Sequence, residues 1–385
     1  MNQKKKIMFV FGTRPEAIKM APVINEIKKC PDLFAPIIVV TGQHRQMLDQ
    51  VLQLFKIEPQ HDLAIMEPNQ TIAQIVAKSL VGLEKLIIND KPDMLLVQGD
   101  TSTAFAAGLV AHYHRIALGH IEAGLRTYDK WRPFPEEVNR KQLTTLSDLH
   151  FAPTKTSVNN LLSENVDPAS IYLTGNTVID ALQEVAKKPY SLSQIGVKIN
   201  PKKKLILITT HRRESFGDPI EAICRAIVRL ANEYANEIEI VLPVHSNPNV
   251  KDVVTQYLGK IENIQLIDPL DYEPFVHLMK KAYLILTDSG GVQEEGPSLG
   301  KPVLVMRDKT ERPEAVTAGT VKLVGMDENV IYEKTSQLLT NPKEYAKMSQ
   351  ALNPYGDGEA AGRIVQVMAY HFAFRKTRPE EFILK

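Results

Sequence analysis

The chain has 385 residues, more than one compact core usually holds, so its length favours two domains of ordinary size. Hydrophobic residues make up 44% and charged residues 24%, the balance of a globular protein. The 46 basic residues are matched by 45 acidic ones, which excludes a broad electrostatic footprint for nucleic acid or an anionic membrane and makes any anion site local.

The opening "MNQKKKIMFVFGTRPEA" places lysines before an apolar run, but that run is too short for the core of a signal peptide. No later stretch approaches the length of a membrane span. Cys30 and Cys224 match no metal or redox spacing and read as two free thiols in a reduced, cytoplasmic compartment. Short apolar runs at 7–11, 36–41, 94–98, 116–121 and 150–153 read as strands, with amphipathic helices over 16–29 and 71–88. "IYLTGNTVIDALQEVAKK" adds a strand and a helix before the polar stretch 189–203. The pattern then restarts, with strands expected at 205–209, 238–242, 264–267, 283–287 and 302–306. Continuous β-branched runs suit strands covered on both faces of a parallel sheet. The expected fold is therefore α/β: two doubly wound domains, 1–188 and 189–358, with the final helix, about 359–385, able to belong to either.

Ligands of such sheets bind beyond the carboxyl ends of the strands. In "DSGGVQEEGPSLGKP" a strand runs into Ser289, Gly290 and Gly291 and then a helix, a junction whose free N–H groups attract phosphate. An acid one turn on, Glu294 or Glu295, would accept from ribose hydroxyls; the plainer reading is a glycine turn followed by acids that favour a helix start. "FGTRPEAIK" lacks the G-x-G-x-x-G fingerprint, and the second strand ends without an acid, so nicotinamide or flavin binding is disfavoured. Arg14 and Lys19 instead place cations at a helix start, against the dipole, unless an anion lies between them; otherwise they are solvated side chains. Asp100 after "VQG", Glu122 in "HIEAG" and Glu136 after Pro135 form a second constellation; the acids at the two strand ends would converge on one cleft, although capping would account for Asp100 and a helix start for Glu136. Clustered carboxylates drive one another's pKa values apart, as proton transfer requires. His211, at a strand end of the second half, adds a group that titrates near neutrality. The histidines form no recognisable metal-ligand set.

Taken together, "FGTRPEAIKMAPV", "VQGDTSTAFAAGL", "HIEAGLRT", "RPFPEEVNR", "TGNTVIDAL", "THRRESFG" and "DSGGVQEEGPSLGKPVLVMRDKTERPEA" resemble the non-hydrolysing UDP-N-acetylglucosamine 2-epimerases, in that family's order, from residue 10 to about 320. The resemblance implies the GT-B architecture, two Rossmann-like domains around a deep cleft with the C-terminal helix returning to the first. It also implies a cytoplasmic homodimer that interconverts UDP-GlcNAc and UDP-ManNAc without metal or nicotinamide cofactor, for surface polysaccharide synthesis. Carried over by motif, Asp100, Glu122, Glu136 and His211 are the catalytic group. Arg14, Lys19, Phe275, Ser289, Gly290, Gly291, Glu295 and Arg312 bind UDP, which leaves Glu294 on the helix surface. "TGQHRQM" resembles the motif of a second, activating UDP-GlcNAc site and points to Gln43, His44 and Gln46, with Arg213 and His245 as partners. Asn69 stands where some regulated members carry a basic residue.

The chemistry agrees with these residue types. A sugar C2–H has no adjacent carbonyl and resists a carboxylate, but departure of UDP from C1 builds positive charge beside it. Elimination to 2-acetamidoglucal therefore needs cations on the diphosphate and a carboxylate near C2. Return of UDP with a proton to the other face needs a second group. Three readings compete: a hydrolysing relative that releases ManNAc and UDP, a GT-B glycosyltransferase, and a silent nucleotide-sugar sensor.

Overall fold

The structure, a computed structural model, describes residues 3–42, 45–210, 217–245 and 247–384. It divides into two compact units, one formed by Met1–Ala181 with Tyr355–Ile383 and the other by Leu182–Pro354.

The first unit runs β1 (Lys5–Phe11), α1 (Arg14–Lys28), β2 (Phe34–Val40), α2 (Arg45–Leu54), β3 (His61–Asp62), α3 (Ile72–Asp90), β4 (Met94–Gln98), α4 (Ser102–Tyr113), β5 (Ala117–Ile121), α5 (Glu136–Leu146), β6 (Leu149–Ala152), α6 (Lys155–Ser163), β7 (Ile171–Leu173) and the start of α7 (Thr177–Lys187), whose later residues are counted with the second unit. The strands form an all-parallel sheet in the order β3-β2-β1-β4-β5-β6-β7. Successive side chains of a strand point to opposite faces. Met8 and Val10 of β1 and Leu95 and Val97 of β4 thus meet Leu83 and Ile87 of α3 and Ala104, Ala107 and Val110 of α4 in one buried cluster. Ile7, Phe9 and Phe11 are buried as well, which leaves β1 no polar face and accounts for its unbroken apolar sequence.

The second unit repeats the plan with β8 (Lys204–Thr209), α8 (Asp218–Glu233), β9 (Ile238–Pro243), α9 (Pro248–Leu258), β10 (Ile264–Ile267), α10 (Tyr272–Lys281), β11 (Leu284–Thr287), α11 (Gly290–Ser298), β12 (Val303–Val305), α12 (Pro313–Thr317), β13 (Val321–Leu323), α13 (Glu328–Thr340) and α14 (Pro342–Ser349). Its sheet is also parallel, in the order β10-β9-β8-β11-β12-β13. Ile206 and Ile208 pack against Ile220, Ile223 and Ile227 of α8 and Ile331 and Leu338 of α13. The last helix, α15 (Ala360–His371), belongs to the first unit, where it lies against α1.

Each strand expected from the sequence is present within two residues of its expected ends, and the structure adds β3 and β13. Both additions are sheet edges of two or three residues, "HD" and "VKL", too short and polar to leave an apolar run. Among the described residues no helix is long and apolar enough to cross a membrane.

Candidate active site

In each sheet the chain reverses its direction of winding between two neighbouring strands, β1 and β4 in the first and β8 and β11 in the second. Such switch points open a crevice beyond the strand ends. Arg14 and Lys19 follow β1, Asp100 follows β4, and Ser289, Gly290 and Gly291 follow β11.

In the first unit the crevice is braced by Glu16. Its carboxylate accepts from the Gly12 and Thr13 N–H groups at 3.1 and 2.8 Å, and from the Thr13 and Thr101 hydroxyls at 2.7 Å each. It thus closes the capping box of α1 and ties the loop after β1 to the loop after β4. Burial raises its pKa, and the four donors oppose that rise. Arg14 and Lys19 follow on α1, both half-buried. Lys19 pairs with the carboxylate of Glu122, so the cation expected on a diphosphate already holds one of the expected acids.

Glu122 follows β5 in a left-handed backbone conformation, φ +65°. A side chain with a Cβ adopts this conformation only under local constraint, and such outliers cluster at functional sites. Besides Lys19, its carboxylate accepts from Gln98 Nε2 at 2.5 Å and Asn176 Nδ2 at 3.0 Å. Asp100 follows the tight turn at Gly99, φ +69°. His120, buried and neutral with its pKa lowered to about 3 by desolvation, donates from Nε2 to the Gly99 carbonyl at 2.6 Å and fixes that turn. Asp100 does not cap α4. Thr101 does, accepting from the Ala104 N–H at 3.0 Å, which leaves the aspartate available.

α5 begins at Glu136, and residues three and four positions on share its face. Those residues are Asn139, which donates to the Asp100 carbonyl at 2.9 Å, and Arg140, whose guanidinium lies 2.6 Å from the Asp100 carboxylate. Glu137 binds the Thr127 and Tyr128 N–H groups and lies 3.4 Å from the Arg140 guanidinium. Loss of solvent raises the pKa of Asp100; Arg140 pulls it down, and Glu122 and Glu136 push it further up. Glu122 and Glu136 thus both lie within electrostatic reach of Asp100. Arg140, Gln98 and Asn176 were missed by sequence reasoning, since their roles are to hold acids and a holding residue has no motif chemistry of its own.

In the second unit Thr209 and Thr287, at the ends of β8 and β11, share a hydrogen bond of 2.6 Å, and Thr210 donates to buried Asp288 at 3.1 Å. Ser289 stands at the N-cap of α11, yet its side chain makes no capping bond, so the first N–H groups of this helix are left without a cap from it. Among the described residues, no atom lies within 4 Å of where a Cβ on Gly291 would sit, so the protein itself does not require glycine there. Gly296, one turn on, is a packing glycine, because its Cβ would meet Val303 at 2.6 Å. Glu295 is buried and accepts from the Tyr272 hydroxyl at 2.9 Å; burial first, then Glu295, raise that phenol well above its usual pKa. Phe275 is half-buried on α10.

The structure corrects one expectation. Glu294 is not on the helix surface but 2% exposed, because α11 is covered on all sides from Val292 to Pro297. Its carboxylate pairs with Arg312 Nε, so Arg312 is anchored in the protein through the acid expected in solvent. His245 is half-buried and accepts the Asn247 N–H at Nδ1, 3.1 Å. Gln43, His44, His211 and Arg213 lie outside the described residues, as does the side chain of Gln46.

Residues 25–369 match the family model described as UDP-N-acetylglucosamine 2-epimerase. The chain belongs to that family. It is 53% identical over 383 residues to the UDP-N-acetylglucosamine 2-epimerase of Bacillus subtilis, covering 99% of each chain. Among solved structures it is similar to the UDP-GlcNAc 2-epimerase from Neisseria meningitidis bound to UDP-GlcNAc, with a TM-score of 0.84, 49% identity, and 94% of this chain and 99% of that one covered. The glycotransferase of kitacinnamycin, 14% identical over 94% of this chain and 99% of its own, still reaches a TM-score of 0.63. At that identity the likeness concerns the fold alone, and it accords with the GT-B architecture of two parallel-sheet units that the motifs implied.

Proposed function

We propose that the protein inverts C2 of the sugar in UDP-GlcNAc, giving UDP-ManNAc reversibly, by eliminating UDP to 2-acetamidoglucal and adding it back. The observation that carries this reading is the trio Asp100, Glu122 and Glu136, gathered with Lys19 and Arg140 beyond the strand ends of an epimerase-family domain. A carboxyl whose pKa is raised beside one held by donors is what two proton transfers at one carbon call for.

Arg14 and the uncapped start of α11, with Ser289, Gly290 and Gly291, bind the diphosphate and stabilise it as it leaves. Gly291 then serves the ligand's approach, since packing makes no demand on it. Glu295 holds the ribose, with Tyr272 fixing its carboxylate, while Phe275 and Arg312 complete the nucleotide site. His211 joins the acids in proton transfer. Gln43, His44, Gln46, Arg213 and His245 form the activating site. The protein works as a homodimer: Val81 and Ile88, on one face of α3, and Tyr113 of α4 are 57%, 56% and 69% exposed and form an apolar surface for a second copy.

Incubation with UDP-GlcNAc alone in deuterated water tests the reaction. Proton NMR is expected to show a second anomeric signal and loss of the C2 proton from both sugar nucleotides. Accumulation of free UDP and ManNAc would instead identify the hydrolysing reaction, and no change without an acceptor would favour a transferase.

A further inference from the structure

Glu122 is gripped by two amides as well as by Lys19. An amide group can turn either its oxygen or its nitrogen to a neighbour, and the surrounding hydrogen bonds decide which. For Asn176 the backbone decides: the side-chain oxygen accepts the Val178 N–H at 3.1 Å, so the NH2 group faces Glu122. The main chain of Asn176 is fixed in turn, its N–H donating at 2.7 Å to the carbonyl of Tyr355, the first residue of the segment that returns to this unit. The close approach there needs glycine on both sides. Gly175 has φ +85°, and a Cβ on it would lie 3.3 Å from Gly356 Cα. Asn176 and Gln98 are 3% exposed each, and both donate to the carboxylate through amides that carry no charge at any working pH.

We propose that Asn176, supported by Gln98, is a positioning residue for the epimerisation, holding the Glu122 carboxylate in one orientation and as an acceptor. The proposal rests on the reaction proposed above. Two neutral donors on a nearly buried carboxylate orient it without taking its proton-accepting role, and the strained backbone at Glu122 places it where they reach. Among the described residues, Lys19 from α1 pairs with Glu122, Asp100 after β4 and His120 on its own strand lie within its electrostatic reach, and Glu136 and Arg140 from α5 surround Asp100 beside it.

The test replaces the donor by an acceptor of the same shape. In Asn176→Asp the Val178 N–H keeps its partner, but an ionised carboxylate repels Glu122, while a protonated one donates to it again. Turnover at pH 8 is expected to fall about 100-fold with KM changed less than about threefold, and the deficit to shrink at least about tenfold by pH 5.5. Wild type is expected to show no such acid-dependent recovery. Gln98→Glu, read the same way, serves if Asn176→Asp does not fold, as judged by thermal unfolding. Wild-type turnover and pH profile in the folded variants would overturn the proposal. Absence of solvent deuterium in the sugar with wild-type protein would overturn the reaction instead, so the two failures are distinguishable.

Discussion

Arg140 stands between two acids, with Asp100 2.6 Å away and Glu137 at 3.4 Å. Asp100 already binds its proton more tightly than an ordinary aspartate because it is desolvated, and Arg140 is the main influence in the other direction. Arg140→Met removes that influence, so the Asp100 pKa rises further. Turnover should fall by about two orders of magnitude, and the acid limb of the rate profile should move to higher pH; Arg140→Lys, which keeps the charge, should lose less. Steady-state kinetics from pH 5 to 9 check both. Glu122 stood out as a candidate in the sequence because a carboxylate at the end of a buried strand has no packing reason to be there, whereas capping would account for Asp100 and a helix start for Glu136. Arg140 was not, because one turn into a helix a basic residue looks like any solvated side chain until Asp100 is seen across from it. Glu294 misled for a related reason: acids at a helix start usually face water, and only the covered surroundings of α11 turn this one inward to Arg312.

Among the helices, the start of α1 depends on an acid used as a brace. Glu16→Gln keeps an oxygen for the Gly12 and Thr13 N–H groups and an amide that Thr101 can accept from, so it should cost no more than about 1 kcal/mol. Glu16→Ala strands two buried N–H groups and loosens both loops, for about 2–4 kcal/mol. Denaturant unfolding of the two variants measures the difference. "TRPEA" shows this box openly, with threonine three residues before glutamate and proline at the first helical turn. The strands that carry the sheets were legible, since burial on both faces demands unbroken apolar runs. β3 and β13 escaped because a two- or three-residue edge strand is defined by its neighbour's hydrogen bonds and needs no pattern of its own.

For the molecule as a whole, the return of the chain into the first unit is fixed by Asp180. Its carboxylate accepts the Ala361 N–H at 2.8 Å at the start of α15, and beside it Arg363 binds Asp357 and the Thr174 carbonyl. Burial raises the Asp180 pKa to about 7, and Asp357 adds to the rise. A raised folded-state pKa means that the folded form holds the proton more tightly. Its contribution to stability is complete below about pH 4 and is lost as the pH climbs through 7, on the order of 4 kcal/mol in all. Asp180→Asn is neutral throughout, so its thermal midpoint should vary less between pH 5 and 8 and exceed that of wild type at the alkaline end. Periodicity alone left the last helix open to either domain, and only the family resemblance pointed to the first, because the pairings that decide it lie nearly two hundred residues apart.

Those pairings also set an order of events during synthesis. Phe34 packs edge-on against Phe372 and Phe374, and the Phe382 N–H reaches the Leu173 carbonyl at 2.8 Å. The part of the polypeptide that leaves the ribosome first therefore waits longest for its final contacts, while the middle part can finish beforehand. A chain stopped after Pro354 should accordingly yield a protease-resistant fragment from its later half and little from its beginning.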